Sequence, residues 1–200
     1  MHITTSAIIC AVRPHGEAGA IVRGMTAEYG LVAGYVRGGR SRTMRPILQP
    51  SNIVLAEFRA RVETQLPSLT VELEHSRGPL MAEPLAAAAL DWATALTASV
   101  VPEMHPYRAI HLALEGLLNA IEAAPAARGW AGALVSYEAL ILSALGFGNG
   151  DGARSDGWED VLANLNASGE RLYQHLFADR RADVLASRER LVERLKRAAG

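Results

Sequence analysis

Apolar and polar positions alternate through much of residues 1–80, and the period lengthens after that. From Ser6 to Arg13 the alternation sets Ile8, Cys10 and Val12 on one face, which predicts a strand. Gly16-Glu17 breaks it, and a second strand is expected from Ala18 to Met25. Glu28-Tyr29-Gly30 signals a turn before a third, Leu31 to Arg37. Asn52 to Arg61 sends Val54, Ala56, Phe58 and Ala60 inward and Leu55, Glu57, Arg59 and Arg61 outward. Ser68 to Glu74 repeats the pattern, with Leu69, Val71 and Leu73 against Thr70, Glu72 and Glu74. Five strands separated by Gly and Pro breakers predict a small barrel, for which a five-stranded OB barrel is the natural candidate. A fold of this kind commonly carries nucleic acid on its loops and one sheet face, but fold alone does not assign function.

After Pro79 the spacing becomes helical. Leu85, Ala89, Trp92, Leu96 and Val100 form one stripe, and Ile110, Leu114, Leu117 and Ile121 a second. Trp130, Leu134, Tyr137, Ile141 and Leu145 form a third, which Gly146-Phe147-Gly148 should stop. Pro102, Pro106 and Pro125 punctuate the intervals. Such stripes are core positions of a helical bundle. Residues 149–157 read as a polar link, residues 158–178 as helical or turn-rich. A charged helix from about Ser187 to Ala198 should face Leu191, Val192 and Leu195 inward and pair Glu193 with Arg197. The expected class is α+β: an OB barrel over residues 1–79, then an all-helical domain over 80–200.

Charge refines this picture more than composition does. The net charge is −1, yet residues 1–80 carry +3 and residues 81–200 carry −4. No acid occurs between Glu28 and Glu57, and Arg37, Arg40, Arg42 and Arg45 all fall in that gap. A one-sign cluster makes a local potential that a near-neutral total conceals. Nineteen arginines against one lysine, Lys196, are not by themselves evidence of nucleic-acid binding. No long apolar run suits a membrane span, and the first residues show no basic flank leading into one. A single cysteine, Cys10, excludes a disulfide framework within the chain and a multi-cysteine metal site. The expected location is the cytoplasm.

Catalytic patterns are largely missing. There is no GxxxxGK[ST] loop for ATP, and Gly34 to Gly39 follows a strand without opening a helix. The six histidines, at 2, 15, 75, 105, 111 and 175, show no paired ligand spacing. Cys10, alternating with Ile8 and Val12, reads as a buried, inert thiol. No carboxylate pair has a spacing that demands acid–base work. The expectation is a binding protein with no catalytic residues, no metal and no cofactor.

The stretch from Arg37 to Pro50, RGGRSRTMRPILQP, holds most of the candidate chemistry. Glycines after a strand let the backbone turn sharply and approach a partner. Arg40 and Arg42 can reach phosphates with planar, bidentate guanidinium groups, and Ser41 and Thr43 add hydroxyls. Such contacts position a nucleic acid without reading its bases. Tyr35 offers either a stacking surface or core packing.

Together with Arg13-Pro14-His15-Gly16-Glu17, Ile21-Val22-Arg23 and Thr26-Ala27-Glu28-Tyr29-Gly30-Leu31, this loop and its Leu48-Gln49-Pro50 end resemble RecO recombination-mediator proteins. The resemblance continues through Gly129-Trp130, Leu145-Gly146-Phe147-Gly148 and Arg188 to Leu195, nearly the whole chain. It implies DNA repair and homologous recombination: binding of single- and double-stranded DNA, annealing of strands without ATP, and help in loading RecA onto coated single strands. It also implies partnership with RecR and with the acidic C-terminal tail of single-strand binding protein, and work at the nucleoid. The candidate DNA contacts are Arg37, Arg40, Arg42 and Arg45, with Arg23 and Tyr35. Protein partners are expected on residues 80–200, where Arg108 and Arg128 adjoin apolar helices. Many members carry a cysteine-ligated zinc element after the GFG-like helix end; here residues 149–157 hold no cysteine. Two other readings stay open: a protein-interaction adapter with weak DNA binding, and an RNA-binding OB protein.

Overall fold

A computed structural model describes residues 1–62, 64–124, 126–148, 157–178 and 182–198. Pro125 and the polar link expected at 149–157, except Gly157, lie outside the described residues. Contacts divide the chain into two compact units, Met1–Met81 with Thr94–His111, and Ala82–Ala93 with Leu112–Gly200.

In the first unit, β1 (His2–His15), β2 (Gly19–Thr26), β3 (Gly30–Val36), β4 (Ile53–Arg59) and β5 (Ser68–His75) close into a barrel. The order around it is β1-β2-β3-β5-β4, with β4 returning to β1. All neighbours are antiparallel except β3 and β5, which meet in parallel at Tyr35 and Ser68. Alternation explains the interior. Val22 of β2, Val32 and Val36 of β3, Val54, Ala56 and Phe58 of β4, and Leu69 of β5 meet there. Leu73 departs from its expected inward place: it pairs with the buried Val54, yet is 40% exposed.

β1 also differs from the sequence reading. Ala7 and Ile9 enter the barrel core and Val12 packs on it, whereas Ile8 and Cys10 do not share that cluster. The cause is a β-bulge between Ile9 and Ala11: one extra residue reverses the inward phase, so Val12 faces opposite to Ile8 and Cys10. Cys10 is buried all the same, and burial pushes its thiol up to about 12. A disulfide-exchange reagent at pH 8 should therefore leave Cys10 unmodified until denaturant unfolds the barrel, since only the thiolate attacks.

In this unit, residues 98–105 run against β2 and β3. Met104 donates its N–H to the Leu31 carbonyl (2.9 Å), and Leu31 bridges Glu103. Arg23 donates to the Ala98 carbonyl and pairs with Glu103 at 2.8 Å.

Among the described residues, five helices follow the barrel in sequence: α1 (Pro84–Val100), α2 (Arg108–Ala123), α3 (Ala131–Ala144), α4 (Trp158–Leu172) and α5 (Ala182–Ala198). A π turn, Tyr173–Phe177, extends α4, and α5 starts earlier than the expected Ser187. The stripes fall largely where their spacing places them: Ala89, Trp92, Leu96, Ile110, Leu114, Leu117, Ile121, Trp130, Leu134, Tyr137 and Ile141 are buried, whereas Leu85, Val100 and Leu145 at the stripe ends are half-buried. Leu191, Val192 and Leu195 are buried too, and Glu193 meets Arg197 at 3.5 Å. Gly146, at φ +90, stops α3 as expected. Its N–H bonds the Ser143 carbonyl at 3.0 Å and that of Phe147 the Leu142 carbonyl at 2.8 Å, a closure that glycine's left-handed freedom permits. No described helix is long and apolar enough to cross a membrane.

Candidate nucleic-acid interface

The arginine stretch is a plug rather than an open loop. Gly38, at φ +68, turns the chain after β3, and the Arg40 N–H then reaches the Ala18 carbonyl at 3.1 Å. Gly39 is pressed on the barrel itself: a Cβ there would stand 2.8 Å from the Ala20 Cβ and 3.2 Å from a Leu48 methyl. Its missing side chain thus serves the fold rather than the approach of a partner. The hydroxyl of Ser41 accepts the Met44 N–H at 3.3 Å and lies 3.1 Å from that of Thr43. The backbone N–H of Arg45 donates to the Ser41 carbonyl (3.1 Å) and that of Leu48 to the Met44 carbonyl (2.8 Å), so helical turns follow. Helical spacing puts Met44, Ile47 and Leu48 on one side; Leu48 is in the barrel core, and Met44 and Ile47 pack against it. The same turns leave Arg37, Arg40, Arg42 and Arg45 exposed.

Asn52 fixes the far end. Its amide group donates to the carbonyls of Pro46 (2.8 Å) and Ile47 (3.1 Å), while its oxygen accepts the Arg77 N–H (2.9 Å). Arg77 in turn donates to the Ser51 carbonyl at 2.7 Å. Both Asn52 and Arg77 are buried, where an unmatched polar group costs about 1–3 kcal/mol. Sequence reasoning missed both; the polar Ser51-Asn52 pair opening an apolar strand was the available signal.

The arginines are not equivalent. Arg40 donates to the Glu17 carbonyl at 3.0 Å, and Arg37, Arg42 and Arg45 make no side-chain hydrogen bond or ion pair among the described residues. Arg23 stands apart, its side chain only 23% exposed and its charge matched by Glu103. Tyr35 is half-buried outside the barrel cluster, between Ile21 and Ser68 in register, and its N–H donates to the Pro67 carbonyl at 2.8 Å. Of the six candidates, four stand in or beside one cationic plug, Tyr35 lies two residues before it, and Arg23 is held elsewhere.

In the second unit, Arg128 lies over the Trp158 ring, 5.4 Å from its centroid. Arg108, which opens α2, is exposed in the first unit. Among the described residues no group of three or more His, Cys, Asp or Glu could hold a metal ion. A cysteine-ligated zinc does not fit this chain, whose one cysteine is buried in β1.

A closed five-stranded barrel in this strand order defines an OB-type fold. The family model for the recombination protein O N terminal matches residues 1–77. The DNA repair protein RecO of Rhodospirillum centenum is 32% identical over 99% of this chain and 96% of its own length. RecO proteins of Phenylobacterium zucineum and Rhodospirillum rubrum are 41% and 43% identical, over 74% and 70% of this chain. Those two matches span 60% and 57% of the relatives' own lengths. The chain belongs to the RecO family.

Proposed function

We propose that this chain binds single- and double-stranded DNA by its phosphates through Arg37, Arg40, Arg42 and Arg45, with Tyr35 beside them, and anneals complementary strands without ATP. The observation that carries this is the plug: its apolar residues enter the barrel while its arginines face solvent without acidic partners. Complementary strands repel through their phosphates, and a cationic surface that holds both lowers that barrier without covalent chemistry. Arg23 would join the set only by giving up its Glu103 pair. On this reading the protein acts in homologous recombination in the cytoplasm, at the nucleoid. It helps load RecA, with RecR and the acidic tail of single-strand binding protein as partners on residues 80–200.

Annealing of two labelled complementary strands without nucleotide, bare and coated with single-strand binding protein, tests the proposal. The chain should accelerate both reactions. No acceleration, with intact binding of the tail peptide, would favour the adapter reading; tighter binding to matched RNA than to DNA would favour the RNA-binding one.

A further inference from the structure

The barrel's outer surface holds one aromatic ring in a way that packing alone does not require. Tyr35 lies over Gly19 of β2: a Cβ on Gly19 would stand 2.3 Å from both the ring carbon Cε2 and the hydroxyl oxygen. The ring therefore rests on backbone, in space that only a hydrogen leaves open. The His15 ring meets it edge-on, with centroids 5.9 Å apart and planes at 80°. The Tyr35 hydroxyl makes no hydrogen bond among the described residues, so the group is present as a ring rather than as a donor. It remains only half-buried although it is held from below and from one edge. Cations flank it: Arg13, exposed, pairs in register with Ile21, which pairs with Tyr35, and Arg37 follows two residues after.

We propose that Tyr35, seated on Gly19 and braced by His15, is a base-stacking platform that gives the barrel a preference for single strands over duplex. The inference rests on the phosphate-binding reading above and deepens it. Arginines on phosphates cannot make this distinction, because duplex presents phosphates at higher density. An unpaired base offers a π face, whereas in a duplex both faces of every internal base are covered. A ring already fixed by backbone and a neighbouring ring loses little freedom when a base settles on it. Gly19 and His15 act as positioning residues; the Tyr35 ring makes the contact.

The test uses the full chain and three ligands: a labelled oligothymidylate, the same strand with abasic sites throughout, and a duplex closed by hairpins at both ends. Tyr35→Ala should weaken oligothymidylate binding about tenfold and leave the other two within about a factor of two. Tyr35→Phe should bind like the wild type. Gly19→Ala, which lifts the ring, should reproduce the Tyr35→Ala loss and add little to it in the double variant, since both remove the same stacking interaction. The salt slope should not move in any of these, because stacking releases no counterions. Equal losses on all three ligands, or no loss in a folded Tyr35→Ala variant, would overturn the platform. If the plug-arginine variants still lose affinity in that case, phosphate binding stands alone; if they too bind normally, both readings fall.

Discussion

Replacing Arg40 and Arg42 together by alanine should lower affinity for single-stranded DNA at least about tenfold. A hydrogen bond to a charged group contributes roughly 1.5–3 kcal/mol, and 1.4 kcal/mol is a factor of ten. Each phosphate left without its arginine should also flatten the log–log salt dependence by about 0.7, so the pair should reduce the slope by about 1.4. Losses should be alike across sequences, since phosphate contacts do not read bases. Folding should change little, because Arg42 makes no side-chain hydrogen bond or ion pair among the described residues and Arg40 gives up one exposed bond to the Glu17 carbonyl. Arg42→Ala with Arg45→Ala removes no such bond and should behave the same way. Salt titrations by fluorescence anisotropy, beside thermal melts, decide the matter. A folded double variant with the original affinity and slope would take the plug out of DNA binding.

The largest stability effect is expected at Glu138, fully buried in α3. Arg188 of α5 grips its carboxylate with two bonds, Nε to Oε1 at 2.8 Å and Nη2 to Oε2 at 2.7 Å. The Trp92 indole of α1 donates to Oε1 at 2.8 Å, and the Ser168 hydroxyl of α4 donates to Oε2. Side chains from α1, α3, α4 and α5, all within the second unit, thus converge on one carboxylate. Glu138→Leu should cost about 3–5 kcal/mol, because it leaves Arg188 charged and buried without a counter-ion. That is a large share of an ordinary domain's roughly 5–15 kcal/mol. Adding Arg188→Met should recover much of the loss, since a well-packed apolar pair avoids the desolvation of both charges. Urea unfolding of the two single variants and the double one measures this; a Glu138→Leu cost below about 1 kcal/mol would show that the pair contributes little to stability.

The strands and the main helical stripes were legible because period-two and period-3.6 patterns are written directly in apolar positions. What escaped was whatever a local pattern does not record. The bulge at Cys10 adds a residue that the apolar alternation does not record, so Ile8 and Cys10 were grouped on one face with Val12. The plug was read as an arginine loop, although Met44, Ile47 and Leu48 already carried helical spacing. Glu138 stood in view as a lone acid among Leu134, Tyr137 and Ile141, but its partner Arg188 lies fifty residues away. Arg37, Arg40, Arg42 and Arg45 were legible as a set because the interval lacks acids, whereas Arg23's pairing with Glu103 depends on the chain returning eighty residues later.

The closed ring of strands has a consequence for how this unit meets other proteins. β4 is bonded back to β1 from His2 to Ile8, whereas β3 and β5 meet only at Tyr35 and Ser68, so the rest of that seam has no strand-to-strand pairing. A partner strand could therefore add to the sheet only along that seam, and everywhere else a partner must be gripped through side chains. The same closure bears on crowding. Many copies gathered along one nucleic-acid strand stand at high local concentration, where open edges would invite sheet-to-sheet growth. A barrel whose unpaired backbone is confined to one seam offers little template for such growth.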